Sequence, residues 1–250
     1  MRILAASTRL SSRDQRPEIM DQSGLDTNIH RGALAGLRRL NLASGVCRQI
    51  CSVLAGYCQS RRVSRLRVLD IASGGGDVAF GLWKLAKKKG IDLQLLGLDV
   101  SPNACQYATE RCRTAGSSIA FEQRDVVRDP IPNGFDVAMC SLFLHHLTFD
   151  DAAKVLKKMA GAGRLLLAND LNRSAMGYVL AQLACHILTR SPVVRYDGPQ
   201  SVANAFTASE MHDICVAAGL PDARIYKAWP CRLMVLRQTD RDADERKRMA

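Results

Sequence analysis

"RVLDIASGGGDVAFGL", Arg67 to Leu82, is the stretch whose reading decides the fold. An apolar run drops into one acid, Asp70. Three glycines follow at Gly74, Gly75 and Gly76, and a helical apolar pattern begins at once. A buried strand that turns through side-chain-free residues into a helix presents backbone N–H groups and a positive helix end to whatever lies against it. Glycine there allows both close approach and left-handed backbone. "GGGDVA", Gly74 to Ala79, satisfies the G-x-G-x-x-G/A pattern of dinucleotide sites, which by itself is a weak signal.

Outward from this loop the chain alternates strands and helices. "RLRVLDIA" reads as a buried strand, and "DVAFGLWKLAKKKG" as a helix closed by three lysines and Gly90. "DLQLLGLDV" is a second strand, and "SPNACQYATERCRTAG" a helix with Ser101 as N-cap and Pro102 at its first position. "SIAFEQRDV", "GFDVAMCSLFL" and "RLLLAND" read as further strands, with the helix "TFDDAAKVLKKMAGAG" before the last. Short apolar strands alternating with helices predict an α/β fold with a parallel sheet covered on both faces. The rhythm breaks between Leu171 and Phe206, an insertion with the apolar helix "MGYVLAQLACHIL" and a turn-rich "SPVVRYDGP". A helix, "TASEMHDICVAAGL", and two close strands, "ARIYKAW" and "RLMVLRQ", finish the domain. Their "PC" connection is too short for a parallel crossover, so they pair antiparallel.

Upstream, Asp26 caps a helix carrying Ile29, Ala33, Leu34 and Leu37. A second helix, from about Ser44 to Cys58, carries Val46, Ile50, Val53, Leu54 and Tyr57. The division is a basic leader and helical cap over 1–64, a catalytic domain over 65–238 with the 171–206 insertion, and a charged tail over 239–250. The first residues, "MRILAASTRLSSRDQRP", weakly resemble an organelle transit peptide, but a disordered leader is the preferred reading. The chain of 250 residues is 47% hydrophobic and 24% charged, as in a globular enzyme. Its charge of +11 is uneven: twelve Arg against four acids up to residue 67, then near balance. The excess belongs to the N-terminal part rather than to a catalytic face, which disfavours nucleic acid as a partner. Nine cysteines, an odd number without a C-x-x-C pair, predict a reducing, cytoplasmic compartment without a disulfide framework or zinc. No apolar run is long enough for a membrane span.

"DIASGGG", Asp70 to Gly76, resembles the D-x-G-x-G-x-G motif of class I S-adenosylmethionine (SAM) methyltransferases, with Ala72 where the first glycine usually stands. Two features favour this reading over a dinucleotide. Asp70 at the strand end suits the ammonium of a methionine moiety and would repel a pyrophosphate. The helix–strand–strand ending resembles the Rossmann-like seven-stranded methyltransferase sheet, mostly parallel with an antiparallel last strand. Asp99, with Val100 beside it, ends the second strand about 20 residues after the loop, where an acid takes ribose hydroxyls in either case. The resemblance implies SAM as cofactor, held by Asp70, Ala72, Ser73, Gly74, Gly76, Asp99 and Val100. It implies Asp125 and Val126 at the adenine, and the fourth strand's end, including Ser141, flanking the cofactor. The alternative is that these acids only cap loops.

A sulfonium methyl is already activated, so the protein must add alignment and, for an oxygen acceptor, remove a proton. His145 and His146 stand just before a helix whose N-cap is Thr148, with Asp151 at capping-box spacing. A helix N-terminus keeps imidazole neutral and able to accept a proton. His145 to Lys154 resembles the "HDW" segment of plant-type phenolic O-methyltransferases, whose first His is the base. That resemblance implies His145 as catalytic base and Asp170, or else Asn169, as the acid that orients it. "HHL" also resembles "EHV" of metal-binding quinone O-methyltransferases, but it lacks the carboxylate of a hard oxygen site, so no metal is expected. In this family, pieces such as the N-terminal helices and the insertion cover the acceptor. The apolar "YVLAQLACHIL" then implies a small apolar or aromatic, phenolic acceptor, though such a helix also suits core or a homodimer contact. His146, Arg173, Tyr178 and Tyr196 are the polar candidates for substrate binding, with His186 and Arg195 behind them.

Quinone-pathway C-methylation is a second enzyme reading. A nucleic-acid methyltransferase would carry a [DNS]-P-P-[YF] clamp where Cys140-Ser141-Leu142-Phe143 stands, and Cys140 in an apolar strand reads as buried and inert. A SAM-fold binding protein without catalysis is the remaining alternative, disfavoured by the intact set of Asp70, the glycine loop and Asp99.

Overall fold

The computed structural model describes residues 10–22 and 24–239. The tail from residue 240 and the first nine residues of the leader lie outside them. Among the described residues no helix is long and apolar enough to cross a membrane.

Seven strands form one sheet: β1 Arg65–Ile71, β2 Asp92–Asp99, β3 Ala120–Gln123, β4 Phe135–Ser141, β5 Gly163–Leu171, β6 Arg224–Ala228 and β7 Arg232–Gln238. Their order is β3-β2-β1-β4-β5-β7-β6. Every neighbouring pair from β3 to β5 is parallel, and β7 runs antiparallel to both β5 and β6. The expected Rossmann-like sheet is thus present, and its antiparallel strand is the last in sequence. Sequence order reverses at the β1/β4 boundary, which opens a crevice at the carboxyl ends of those strands.

The helices are α1 Thr27–Ser44, α2 Val46–Arg61, α3 Asp77–Lys88, α4 Pro102–Thr114, α5 Phe149–Ala162, α6 Ala175–Leu188, α7 Pro192–Asn204 and α8 Ala208–Ala217. One face of the sheet, with Val68, Val137, Met139, Leu165, Leu167 and Met234, is covered by the buried sides of α2 and α3. Leu69, Ile71, Ala138, Leu166 and Val235 point to the other face, under α5 and α8. This alternation is the two-residue period of a strand buried on both sides. Side-chain caps stop the chain fraying where sequence placed them. Asp26 accepts from Asn28 N and Ile29 N, Ser101 from Ala104 N, and Thr148 from Asp151 N.

Three local expectations change. The turn-rich "SPVVRYDGP" begins a helix, α7, with Ser191 as N-cap and Pro192 in its first turn. Asp197 then accepts from Ile19 N and Met20 N, and Gln200 donates to Asp14 O, so tertiary contacts hold a segment rich in turn formers as helix. Those same bonds fix residues 10–22 against α7, where a disordered leader was expected. Arg13 secures them further through the carbonyls of Asn204, His145 and Leu147, with its guanidinium over the Phe206 ring. On α1, Ile29 is exposed and His30 takes its place on the buried side with Ala33 and Leu34.

The β1–α3 loop shows why glycine is needed. Gly74 and Gly76 have φ of 54° and 66°. A Cβ on Gly76 would stand 2.7 Å from Phe121 Cζ and 2.9 Å from Ala108 Cβ. Ala72 also sits at φ 53°, a conformation that costs an alanine about 1–2 kcal/mol and a glycine little. Gly76→Ala combines left-handed backbone with overpacking, and its expected loss is roughly 2–4 kcal/mol in urea unfolding. Ala72→Gly is expected to gain about 1 kcal/mol in the same experiment. Equal stabilities for both variants and the parent would contradict this account of the loop.

Candidate active site

The carboxyl ends of β1, β2, β4 and β5 open into a cavity of about 950 Å³ walled on its outer side by α1 and α6. Asp70, Ala72, Ser73, Gly74, Asp99, Val100, Asp125, Val126, Ser141, His145 and His146 all line it. Residues separated by 76 positions in sequence are therefore brought to one crevice by the strand order.

At its floor Asp70 is 2% exposed, and its Oδ2 has no hydrogen-bond partner among the described residues. Ser73 Oγ and Ser141 Oγ are buried and unpartnered in the same way. Burial, reinforced by Asp77 and Asp99, pushes the Asp70 carboxyl well above its ordinary range. A sealed acid facing a cavity without a donor is suited to a cationic or N–H-bearing ligand. Asp77, at the start of α3, is also raised by burial, but it has a partner in Asn41 Nδ2 at 2.6 Å. Asp99 shapes the loop as well as facing the cavity. Its Oδ2 accepts from Gly74 N at 2.7 Å and its Oδ1 from Ser101 N at 2.9 Å. Asp125 Oδ1 caps its own turn through Val127 N and Arg128 N. Gly76 lies behind the loop against Phe121, so its part is to let the chain turn.

At the β4–α5 connection the chain forms a short 3-10 turn, Leu144–His146, entered through Leu142 at φ 57°. His145 is 4% exposed. Its Nδ1 lies 2.6 Å from Asp170 Oδ1, and its backbone N–H donates to Asp170 Oδ2 at 3.1 Å. Leu171 N also donates to Asp170, at 2.7 Å. Burial alone would raise Asp170, but the neighbouring His145 holds it below the usual carboxylate range. An ionised carboxylate only accepts, so Nδ1 donates in this contact, and in the neutral ring the lone pair is on Nε2. Asp170 itself stands behind the ring, outside the cavity wall.

Glu18 is the residue that sequence reasoning missed. It is 6% exposed, held by the Ser201 hydroxyl at 2.7 Å, and its Oε1 lies 3.7 Å from His145 Nε2 and 3.9 Å from His146 Nδ1. No local pattern marks it: it is one acid in an arginine-rich stretch, and only the path of residues 10–22 over α7 carries it inward. The reason given for expecting no metal, a missing carboxylate beside His146, is therefore corrected. Glu18, His145 and His146 offer donors within 4.8 Å of one another, the one such group among the described residues. Burial pushes the Cys140 thiol well up, which leaves it a poor nucleophile.

Three substrate candidates are not in the cavity wall. Arg173 forks onto Glu210 at 2.7 and 2.9 Å and donates to Ala205 O and Leu10 O, so it clamps the end of β5 to α8. Tyr178 and Tyr196 lie on other sides of α6 and α7, and Tyr196 is 47% exposed. In their place Leu37 and Leu40 of α1 and Leu180, Ala184 and Leu188 of α6 make an apolar wall.

Residues 68–164 match the family described as "Methyltransferase domain". The ubiquinone biosynthesis O-methyltransferase of Methylococcus capsulatus is 32% identical over 129 residues, 50% of this chain and 51% of that protein. The ubiquinone/menaquinone biosynthesis C-methyltransferase UbiE of Pseudomonas putida is 33% identical over 106 residues, 40% of each. The chain spans about half the length or less of these curated relatives. Among solved structures, the plantazolicin methyltransferase BpumL in complex with SAH superposes with a TM-score of 0.64 at 13% identity, covering 95% of this chain and 98% of that one. Human N-acetylserotonin methyltransferase in complex with SAM gives 0.60 at 17% identity, covering 95% and 65%. At these identities the likeness is one of fold.

Asp70→Asn is expected to raise the melting temperature of the empty protein at neutral pH, by about 2–4 °C for each 1 kcal/mol recovered, while weakening S-adenosylhomocysteine at least tenfold. The folded state raises the Asp70 pKa, so its ionisation costs stability above that pKa and costs nothing once both states are protonated. The gain from the substitution should therefore fade as pH drops toward ~4. Thermal scans from pH 4 to 8 with calorimetric titration check both halves. A variant less stable than the parent at pH 8 would contradict the strained-acid reading.

Proposed function

We propose that this chain, whose residues 68–164 match a methyltransferase domain, uses SAM and moves the cofactor's methyl group onto a hydroxyl of a small apolar or aromatic, phenolic acceptor. The observation that carries the reading is the buried His145–Asp170 pair, with Nδ1 2.6 Å from the carboxylate and the ring in the cavity wall.

When bound, SAM supplies a methyl already activated by its sulfonium. The unpartnered oxygens of Asp70, Ser73 and Ser141 suit its polar amino-acid end, and the left-handed loop through Gly74 leaves room for close approach. Asp99 would take the ribose hydroxyls, and Val126 and Asp125 would lie against the base. His145 Nε2 takes the acceptor's hydroxyl proton as the oxygen becomes nucleophilic. Asp170 holds the ring in the required tautomer and favours the imidazolium that results. Glu18, 3.7 Å from Nε2, adds a second carboxylate to that stabilisation. The apolar α1 and α6 walls hold the acceptor body and keep water from the reacting oxygen. A C-methylated product is the alternative outcome, favoured by the likeness to the UbiE protein.

Incubation with labelled SAM and a panel of phenols and quinols, read by mass spectrometry, tests the reading. His145→Ala is expected to lower kcat by about 10²–10⁴-fold while S-adenosylhomocysteine affinity stays within about twofold. An equal loss of both would mark a folding defect and sink the assignment. Chelation is expected to leave turnover unchanged. A loss restored by added divalent ion would instead put a metal between Glu18, His145 and His146. Glu18→Gln is expected to lower kcat about tenfold, or ~1.4 kcal/mol, because one of the two carboxylates beside the proton-accepting ring is gone. Unchanged turnover would reduce Glu18 to a packing role.

A further inference from the structure

Arg232 opens β7, opposite Leu171 in the antiparallel register with β5. It is 5% exposed and forms part of the cavity wall beside the Trp229–Cys231 turn, Ser44 and the apolar side of α6. Its Nη1 donates to Asn169 Oδ1 at 2.9 Å and its Nη2 to Ser44 Oγ at 3.1 Å, both neutral acceptors. The Nε–H is buried without an acceptor. Among the described residues no ion pair reaches this guanidinium. Asp170 and Asp77 act on it only through space, and burial pushes it down to about 10.

Arg173 shows how the same fold treats a buried arginine that it neutralises itself: a two-pronged contact with Glu210. Arg232 lacks such a counter-ion, and a buried unpaired charge is among the costliest features a fold can keep. Two neutral residues hold its plane fixed, and the Nε edge is left over. A planar fork with a free edge matches a carboxylate's two oxygens better than it matches a single hydroxyl.

Position agrees with chemistry. Met234, two residues on, packs on the α2–α3 face of the sheet, so Arg232 belongs to that face. Asp70 follows Val68, and Ser141 follows Met139, on the same face of β1 and β4. Asp70 and Arg232 thus stand on one side of the sheet, an acid and a base, with Ser141 and Asn169 on the strands between.

We propose that Arg232 is the carboxylate-binding residue of this cavity, completing its charge with an acid group carried by a ligand. The inference rests on the cofactor and acceptor reading above. The acid can come from two sources, the amino-acid end of the cofactor or an acidic substituent on an otherwise apolar acceptor.

The experiment uses the full chain and its Arg232→Met and Arg232→Lys variants, with thermal melting to confirm that each is folded. Calorimetric titrations pair S-adenosylhomocysteine with 5′-methylthioadenosine, which lacks the amino-acid end. They then pair 4-hydroxybenzoate with phenol on the S-adenosylhomocysteine-bound protein. Arg232→Met is expected to weaken the acid-bearing member of one pair at least about tenfold and its acid-free partner less than about twofold. Arg232→Lys, which keeps the charge and loses the fork, should fall between. A selective loss for S-adenosylhomocysteine assigns the carboxylate to the cofactor, and one for 4-hydroxybenzoate assigns it to the acceptor. Affinities within about twofold of the parent for all four probes overturn the proposal, and so does an equal loss for both members of each pair in both variants. The parent's own titration with S-adenosylhomocysteine tests the cofactor reading separately, since a protein that does not bind it fails there whatever Arg232 does.

Discussion

Asp70 is a carboxylate that the fold seals under the end of β1 and leaves with one oxygen unmatched. A protein gains nothing in stability from that arrangement. The left-handed Ala72 and the neighbouring acids Asp77 and Asp99 add to the cost of the region. Such costs concentrate where a ligand relieves them. The rest of the crevice is organised around this point: the sheet order puts β4 beside β1, and the β4 exit turns through another left-handed residue, Leu142, to deliver His145.

Three segments far apart in the chain meet at that imidazole. Asp170 comes from the end of β5, His145 from the turn after β4, and Glu18 from the strap that runs over α7. Each is fixed by its own partners: Asp170 by Leu171 N, Glu18 by Ser201 Oγ, and the backbone at Ile19 and Met20 by Asp197. The role of base proposed for His145 calls for this kind of restraint, because that role depends on which nitrogen carries the proton. The basic N-terminal stretch thus supplies an acid to the interior, while one of its arginines, Arg13, ties the strap to the carbonyls around the site.

The insertion between β5 and α8 has a similar double nature. α6 is apolar nearly all round, yet only Gly177 and Cys185 are fully buried. One side faces the cavity through Leu180, Ala184 and Leu188, while Met176, Leu183 and Ile187 are exposed. The cavity accounts for the side of α6 that carries Leu180, Ala184 and Leu188.

Much of the fold was legible from residue order. The two-residue alternation in the strands, the caps at Asp26, Ser101 and Thr148, the lysines ending α3 and the short β6–β7 link are local signals, and local signals survive in a linear text. Asp70, the glycine loop, Asp99 and the His145–Asp170 pairing were legible because their places are tied to strand ends. Chain order alone did not reveal α7, whose turn formers are held helical by Asp197 and Gln200. Nor did it reveal the inward path of Glu18, the diversion of Arg173 to Glu210, or the isolation of Arg232. Sequence by itself determined most of the strands and helices and where the glycine loop lies, since those depend on periodicity and backbone freedom over a few residues. Only the tertiary structure decided which buried charges are paired and which are left over, because a charge's partner is set by distances between segments that the sequence does not contain.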